Sequence, residues 1–254
     1  TVDLPLRSVS TDRVASSSEA ARNVEGNDGG SSMTTTPMPN RRAADRHLYL
    51  WGGIIAAAII FAGFARTFYL KGLFPAPALF IVQVRLVGTG RTGLHRRLGI
   101  FGAAVFALVL GVGFATAIAA ARRGASPAPE VPPLAFMAIP MVDLVVFALL
   151  VGAALWNRRK PAIHKRLMLL GTLSILAPGI ARLPLGFIQQ GGLPVVFGLT
   201  VLVVLITVVV DTVRQRRLHP ACGWGGALVV VSVPLRVMLA GSPVWIRFAT
   251  WLVG

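Results

Sequence analysis

The chain has 254 residues, 55% of them hydrophobic and only 13% charged, with a formal net charge of +16 and a mean hydropathy of +0.72. Soluble domains carry about a quarter charged residues, so this composition excludes an ordinary soluble enzyme and points to a chain built for lipid. The single cysteine, Cys222, excludes an intramolecular disulfide and a thiolate metal cluster within one chain. The arginines flank apolar runs and do not form one basic face with stacking aromatics, so the expected partner is a lipid bilayer with anionic headgroups and not nucleic acid.

Residues 1–40 are rich in Ser, Thr, Asn and Gly and hold Asp3, Asp12, Glu19, Glu25 and Asp28. Such a stretch buries too little apolar surface to offset its ordering entropy, so it predicts a disordered tail. It has no apolar core of a signal peptide. Met33 offers a start shortly before the first apolar run, so the residues ahead of it read either as a tail or as untranslated sequence. The remainder predicts an all-α fold, a polytopic transmembrane helix bundle of six or seven spans over 41–241, with a short interfacial segment at 242–254.

The first expected span covers 48–65, preceded by Arg41, Arg42 and Arg46, with Tyr49 and Trp51 as interfacial anchors. The segment 70–88 reaches across a bilayer only with Lys71, Pro75, Pro77 and Arg85 inside it, because a crossing helix needs about 20 apolar residues. The next span, 98–121, repeats Ala103, Ala107, Gly111, Ala115 and Ala119 at four-residue spacing. That ridge either lets a neighbouring helix, or a second copy of the chain, approach closely, or is an Ala-rich face turned to lipid. Further spans are expected at 134–156, 167–188, 193–210 and 222–240, with an uncharged turn at 189–192. Ser242 and Pro243 read as an N-cap and a first-turn proline. Val244, Phe248 and Trp251 fall on one side of the helix that follows, which suits a membrane interface.

Orientation follows from the loops. Arg158, Arg159, Lys160, Lys165 and Arg166, and the later Arg214, Arg216 and Arg217, belong on the cytoplasmic side. Walking back, 122–133 is outside and Arg91, Arg96 and Arg97 are inside. For Arg41, Arg42 and Arg46 to lie inside as well, 70–88 must cross. Its length and charges oppose that, and this conflict leaves six or seven spans open.

Asp143, Arg182 and Arg236 each interrupt apolar sequence. A charge at the bilayer centre costs about 2.5–3.5 kcal/mol on insertion scales, so such residues face the bundle interior and pair. Pro140, Pro178, Pro184 and Pro234 lie nearby and free backbone carbonyls. The expectation is a buried Asp143–Arg182/Arg236 cluster in the outer half of the membrane. It either locks the bundle, with one arginine snorkelling outward, or holds an anion or proton on its surplus positive charge.

Two histidines sit in an echoed pattern, His95-Arg96-Arg97-Leu98 and His164-Lys165-Arg166-Leu167. Histidines at neighbouring helix ends can ligate a haem, or they can simply mark the cytoplasmic edge. No dinucleotide or phosphate-binding loop, zinc-protease motif or paired carboxylate is present.

The runs Thr67-Phe68-Tyr69-Leu70-Lys71, Gly90-Arg91-Thr92-Gly93-Leu94-His95-Arg96-Arg97-Leu98-Gly99, His164-Lys165-Arg166-Leu167-Met168-Leu169-Leu170 and Arg217-Leu218-His219-Pro220 carry a resemblance. From Leu48 onward the chain resembles a group of bacterial multi-pass membrane proteins with no assigned activity, and more distantly cytochrome-like bundles. The resemblance implies a membrane helix bundle and no particular chemistry. Proteins of that group carry a full second span with a His-x-His-Gly stretch after the Tyr-Leu-Lys segment. Here Pro77-Ala78-Leu79-Phe80 leads directly into Ile81-Val82-Gln83, a shortening by about one span of 20 residues.

The expected function is that of a non-enzymatic integral protein of the bacterial inner membrane, with no catalytic residue, no metal and no resident cofactor. The alternatives are an electron-transfer protein with b-type haem on His95 and His164, and a small-solute or ion transporter using the Asp143 cluster.

Overall fold

The computed structural model describes residues 92–128 and 130–254, and earlier only the positions 49, 51–56, 58–59, 62, 86 and 89. The expected tail over 1–40, part of the 48–65 span and nearly all of the 70–88 segment lie outside the described residues. Among the described residues the regular structure is all helix, with no strand: α1 (Thr92–Arg122), α2 (Pro133–Phe136), α3 (Ala138–Trp156), α4 (Pro161–Ser174), α5 (Ala177–Ile180), α6 (Gly186–Gln215), α7 (Pro220–Ala240) and α8 (Pro243–Val253). Four stretches among the described residues are long and apolar enough to cross a membrane: Gly93–Arg122, Pro133–Trp156, Gly186–Gln215 and Pro220–Ala240.

Local chemistry accounts for the helix starts. Proline opens α2, α4, α7 and α8, where its missing N–H is no loss and its fixed φ suits the first turn. The Ser242 hydroxyl accepts from the Trp245 N–H at 3.1 Å and so caps α8.

The structure departs from the expected spans in three places. The stretch 167–188 is not one helix. It breaks after Ser174, with Ile175 at φ −99° and ψ 18°, because Pro178 cannot donate to the carbonyl of Ser174. The expected turn at 189–192 lies inside α6 and is reduced to a kink at Gly192, whose φ of 56° and ψ of −148° suit only glycine. Finally, α6 runs on past the apolar run to Gln215, which brings Asp211 into a helix when a loop was expected.

Small residues set the packing. Leu144 fits against Gly113 of α1, Val151 against Gly171 of α4, and Leu150, Leu167 and Leu170 against Gly225 of α7. Each close approach gains dispersion contacts, the main attraction between helices where lipid is as apolar as the core. These contacts make α3 and α4 an antiparallel pair with α7 laid across both, and Val208 of α6 seats on Gly226. A second apolar cluster (Ala117, Met137, Met141, Trp245 and Ala249) ties α1, α2, α3 and α8 together at the other end. The Trp245 indole N–H donates to the carbonyl of Leu134 at 2.8 Å. The small-residue ridge of α1 does not lie on this packing face. Ala107, Gly111 and Ala115 are exposed, and α1 meets α3 through Gly113 and the Phe106–Phe147 pair.

Candidate functional site

Among the described residues, the buried polar and charged ones are Asp143, Arg166, Ser174, Thr200, Asp211, Ser232 and Arg236. Four of them form two ion pairs. On α7, Cys222 touches one pair and Arg236 belongs to the other. Those two residues are fourteen positions apart on one helix, so the pairs lie about 21 Å apart along the bundle at 1.5 Å per residue.

The pair at the basic end centres on Asp211. Arg166 of α4 donates to it twice, from Nε to Oδ2 at 2.8 Å and from Nη2 to Oδ1 at 3.0 Å. The third guanidinium nitrogen, Nη1, donates to the carbonyl of Ala162 at 2.7 Å. The Tyr49 hydroxyl donates to Oδ1 at 2.5 Å and the Cys222 thiol to Oδ2 at 3.3 Å. Asp211 therefore joins α4, α6 and α7 to Tyr49, whose ring also lies 4.4 Å from the Lys165 ammonium. A bidentate arginine with both carboxylate oxygens engaged is the strong form of such a pair. Next to it, Nδ1 of His219 accepts from the Ala221 N–H at 3.1 Å and caps α7. Burial, followed by the nearby Arg166, holds the His219 imidazole below its ordinary pKa.

The second pair joins α3 to α7. Arg236 Nη2 lies 2.8 Å from Asp143 Oδ1 and donates to the Ser232 hydroxyl at 2.8 Å. The Ser232 hydroxyl donates onward to the carbonyl of Val229 at 2.6 Å. The guanidinium also stands over the Phe197 ring of α6, 5.1 Å from its centroid. Arg236 is only 1% exposed, yet among the described residues its Nε and Nη1 have no hydrogen-bond partner, and neither has Asp143 Oδ1. The 2.8 Å approach to Oδ1 is thus close but poorly aligned, an ionic contact and not a directed hydrogen bond.

Of the three charges expected in this cluster, the structure brings Asp143 and Arg236 together and leaves Arg182 elsewhere. Arg182 is exposed and donates from Nη1 to the carbonyl of Pro178 at 2.7 Å. The cause is the break after Ser174, which removes Arg182 from a continuous helix facing Asp143. The expected surplus positive charge is therefore absent from the pair, which is net neutral.

His95 and His164 lie at the basic end, on α1 and α4. Both are half-buried and close enough to interact electrostatically. His164 Nδ1 is 2.8 Å from the carbonyl of Ala154. A carbonyl only accepts, so Nδ1 carries the proton and Nε2 is the nitrogen left to ligate. Among the described residues no group of three or more His, Cys, Asp or Glu side chains can hold a metal ion.

No protein-family model, no curated protein and no solved structure matches the chain.

Proposed function

We propose that this chain is a multi-pass integral protein of the bacterial inner membrane with a non-enzymatic role, its basic loops turned towards the cytoplasm and its anionic headgroups. One observation carries the reading: the long helices turn large apolar side chains outward while charged side chains are buried between them. Leu108, Val112, Leu149, Leu205, Val209, Val231, Val237 and Met238 are exposed on the outside of the long helices, while two ion pairs are buried within. In water exposed apolar side chains in such number are a liability, whereas in a bilayer they are the surface that lipid covers. The loops agree. Arg158, Arg159 and Lys160 share one end of the bundle with Arg214, Arg216 and Arg217, because the Arg166–Asp211 pair ties α4 and α6 together there. On this reading α4 and α5 together return the chain across the membrane between α3 and α6, as a broken crossing.

The test is extraction and topology. Membranes carrying the protein should retain it through an alkaline carbonate wash. Reporter fusions in the Arg159–Lys160 loop should report the cytoplasm, and fusions at Gly124–Ala125 the opposite face. Release by carbonate, or both fusions reporting one side, contradicts the reading.

A second reading has its own support in the two neighbouring histidines. The Nδ1 proton of His164 is anchored on a backbone carbonyl, the arrangement that orients an axial ligand. A b-type haem held by His95 and His164 would make this an electron-transfer protein. A reduced visible spectrum with sharp α and β bands, lost in His164→Ala, supports that reading. A featureless spectrum after expression with ample haem removes it.

A further inference from the structure

The two buried ion pairs act as controls for each other. Arg166 uses all three of its nitrogens, and Asp211 receives four donors. Arg236 donates from one nitrogen only, and three polar atoms of its pair have no hydrogen-bond partner among the described residues. An unsatisfied buried donor is costly, more so when it belongs to a charged group. A fold needing only a lock would satisfy this pair as it satisfies the first. We propose that the Asp143–Arg236 pair is a binding site for a small neutral solute carrying a carboxamide-type group. The site lies within the bundle and so rests on the membrane reading above.

The solute class follows from the leftover atoms. Arg236 Nε and Nη1 are donors and call for an acceptor. Asp143 Oδ1 is an acceptor and calls for a donor. The pair is already neutral, because Arg182 lies elsewhere, and adding a net charge to a low-dielectric interior is costly. An anion or a cation is therefore disfavoured. A carboxamide sets a carbonyl oxygen beside an N–H on one uncharged group and can bridge the two side chains, its oxygen towards the guanidinium and its N–H towards the carboxylate. The Phe197 ring supplies an apolar wall beside the guanidinium. Admission requires the Asp143–Arg236 contact to yield. The broken α4–α5 stretch and the Gly192 kink of α6 are irregular backbone at this end, the kind of place where membrane bundles open around a solute.

The test uses the full chain purified in detergent and acetamide as the probe, observed through its methyl group by saturation-transfer NMR. Acetamide should give saturable transfer. Acetone, which has the carbonyl but no N–H, should bind about tenfold or more weakly, the loss of one hydrogen bond to a charged group. The variant Asp143→Leu with Arg236→Met replaces the pair by apolar side chains, an exchange that buried pairs often tolerate, and should abolish saturation. Asp211→Leu with Arg166→Met should leave it intact. Should the outer double variant fail to fold, Arg236→Lys keeps the charge, removes the guanidinium fork and should weaken binding by a similar factor. No saturable transfer in the unmodified protein, equal transfer from acetone, or displacement by chloride overturns the proposal. The carbonate wash separates this failure from the failure of the membrane reading. A chain retained in the membrane but silent to acetamide refutes the site alone, and a chain washed out refutes both.

Discussion

Replacing Asp211 by alanine tests whether the bundle hangs on one carboxylate. Asp211 is 2% exposed and Arg166 3% exposed, so the substitution strands a guanidinium that has lost two of its three partners. Breaking a buried pair from one side costs about 3–5 kcal/mol. The Tyr49 hydroxyl and the Cys222 thiol lose their acceptor as well, at about 1 kcal/mol for an ordinary hydrogen bond. Asp211 stands only four residues before the end of α6, where water and headgroups can relieve the stranded charge, so the lower limit of about 3 kcal/mol is the working value. Against a typical total of about 5–15 kcal/mol, that is a large loss. It is measured by unfolding the purified protein in mixed micelles of increasing denaturing-detergent fraction. The double variant Asp211→Leu with Arg166→Met should recover most of it, because it removes the charge that the single variant strands. A single variant within about 1 kcal/mol of the parent, the range of an exposed ion pair, would refute the reasoning and place the pair in water.

The remaining predictions concern one cap, one close approach and one anchor. His219 has a folded pKa below its unfolded value, so its contribution is present above the unfolded value of about 6.5 and is lost as pH falls through the folded one. Protonation takes away the Nδ1 acceptor, so stability should drop by up to about 1 kcal/mol between pH 7.5 and 5, and His219→Ser should flatten that part of the profile. Gly171→Val should destabilise by about 1–3 kcal/mol, because a Cβ there already meets Val151 Cγ2 at 2.8 Å. Gly152→Ala meets nothing within 4 Å and should be neutral or stabilising by up to about 1 kcal/mol, as thermal midpoints in detergent will show. Trp245→Phe keeps the packing of α8 but removes the bond to the Leu134 carbonyl, a loss of about 1 kcal/mol that should appear first as faster hydrogen exchange in α8.

What is legible in the sequence is what depends on neighbours in the chain. The start of α8 can be read from Ser242 and Pro243 because a cap and a first-turn proline act within one turn. The apolar helices can be read because bilayer thickness sets their length. Asp143 and Arg236 stand out because each is a charge in an apolar run. The role of Asp211 is not legible in the same way. It follows the apolar run and reads as the first residue of an arginine-rich loop, yet its donors come from Arg166, 45 positions earlier, and Tyr49, 162 positions earlier. One signal was available: Asp211 is the lone acid beside Arg214, Arg216 and Arg217, and a single counter-charge among like charges is a candidate for burial. Arg182 misleads for the opposite reason. Its place beside Asp143 depends on a continuous helix over 167–188, and the break after Ser174 removes that helix.

The contrast between the pairs bears on how this bundle can move. The Asp211 pair fastens three helices and the Tyr49 segment through directed bonds to both carboxylate oxygens, so separating any of them breaks several bonds at once. The Asp143 pair joins α3 to α7 through one misaligned contact, and the chain opposite it is already interrupted at Ile175 and Gly192. The energy needed to part the helices is therefore lower at the Asp143 end. A bundle tied at one face and loosely paired at the other opens as a hinge and not as a piston. Hydrogen exchange should reflect that gradient along α7, with slow amides near Cys222 and faster ones near Arg236, although both residues are buried to the same degree. Uniform protection along α7 would mean that the unpartnered donors of Arg236 cost the fold nothing, and the reasoning from unsatisfied polar atoms would lose its basis.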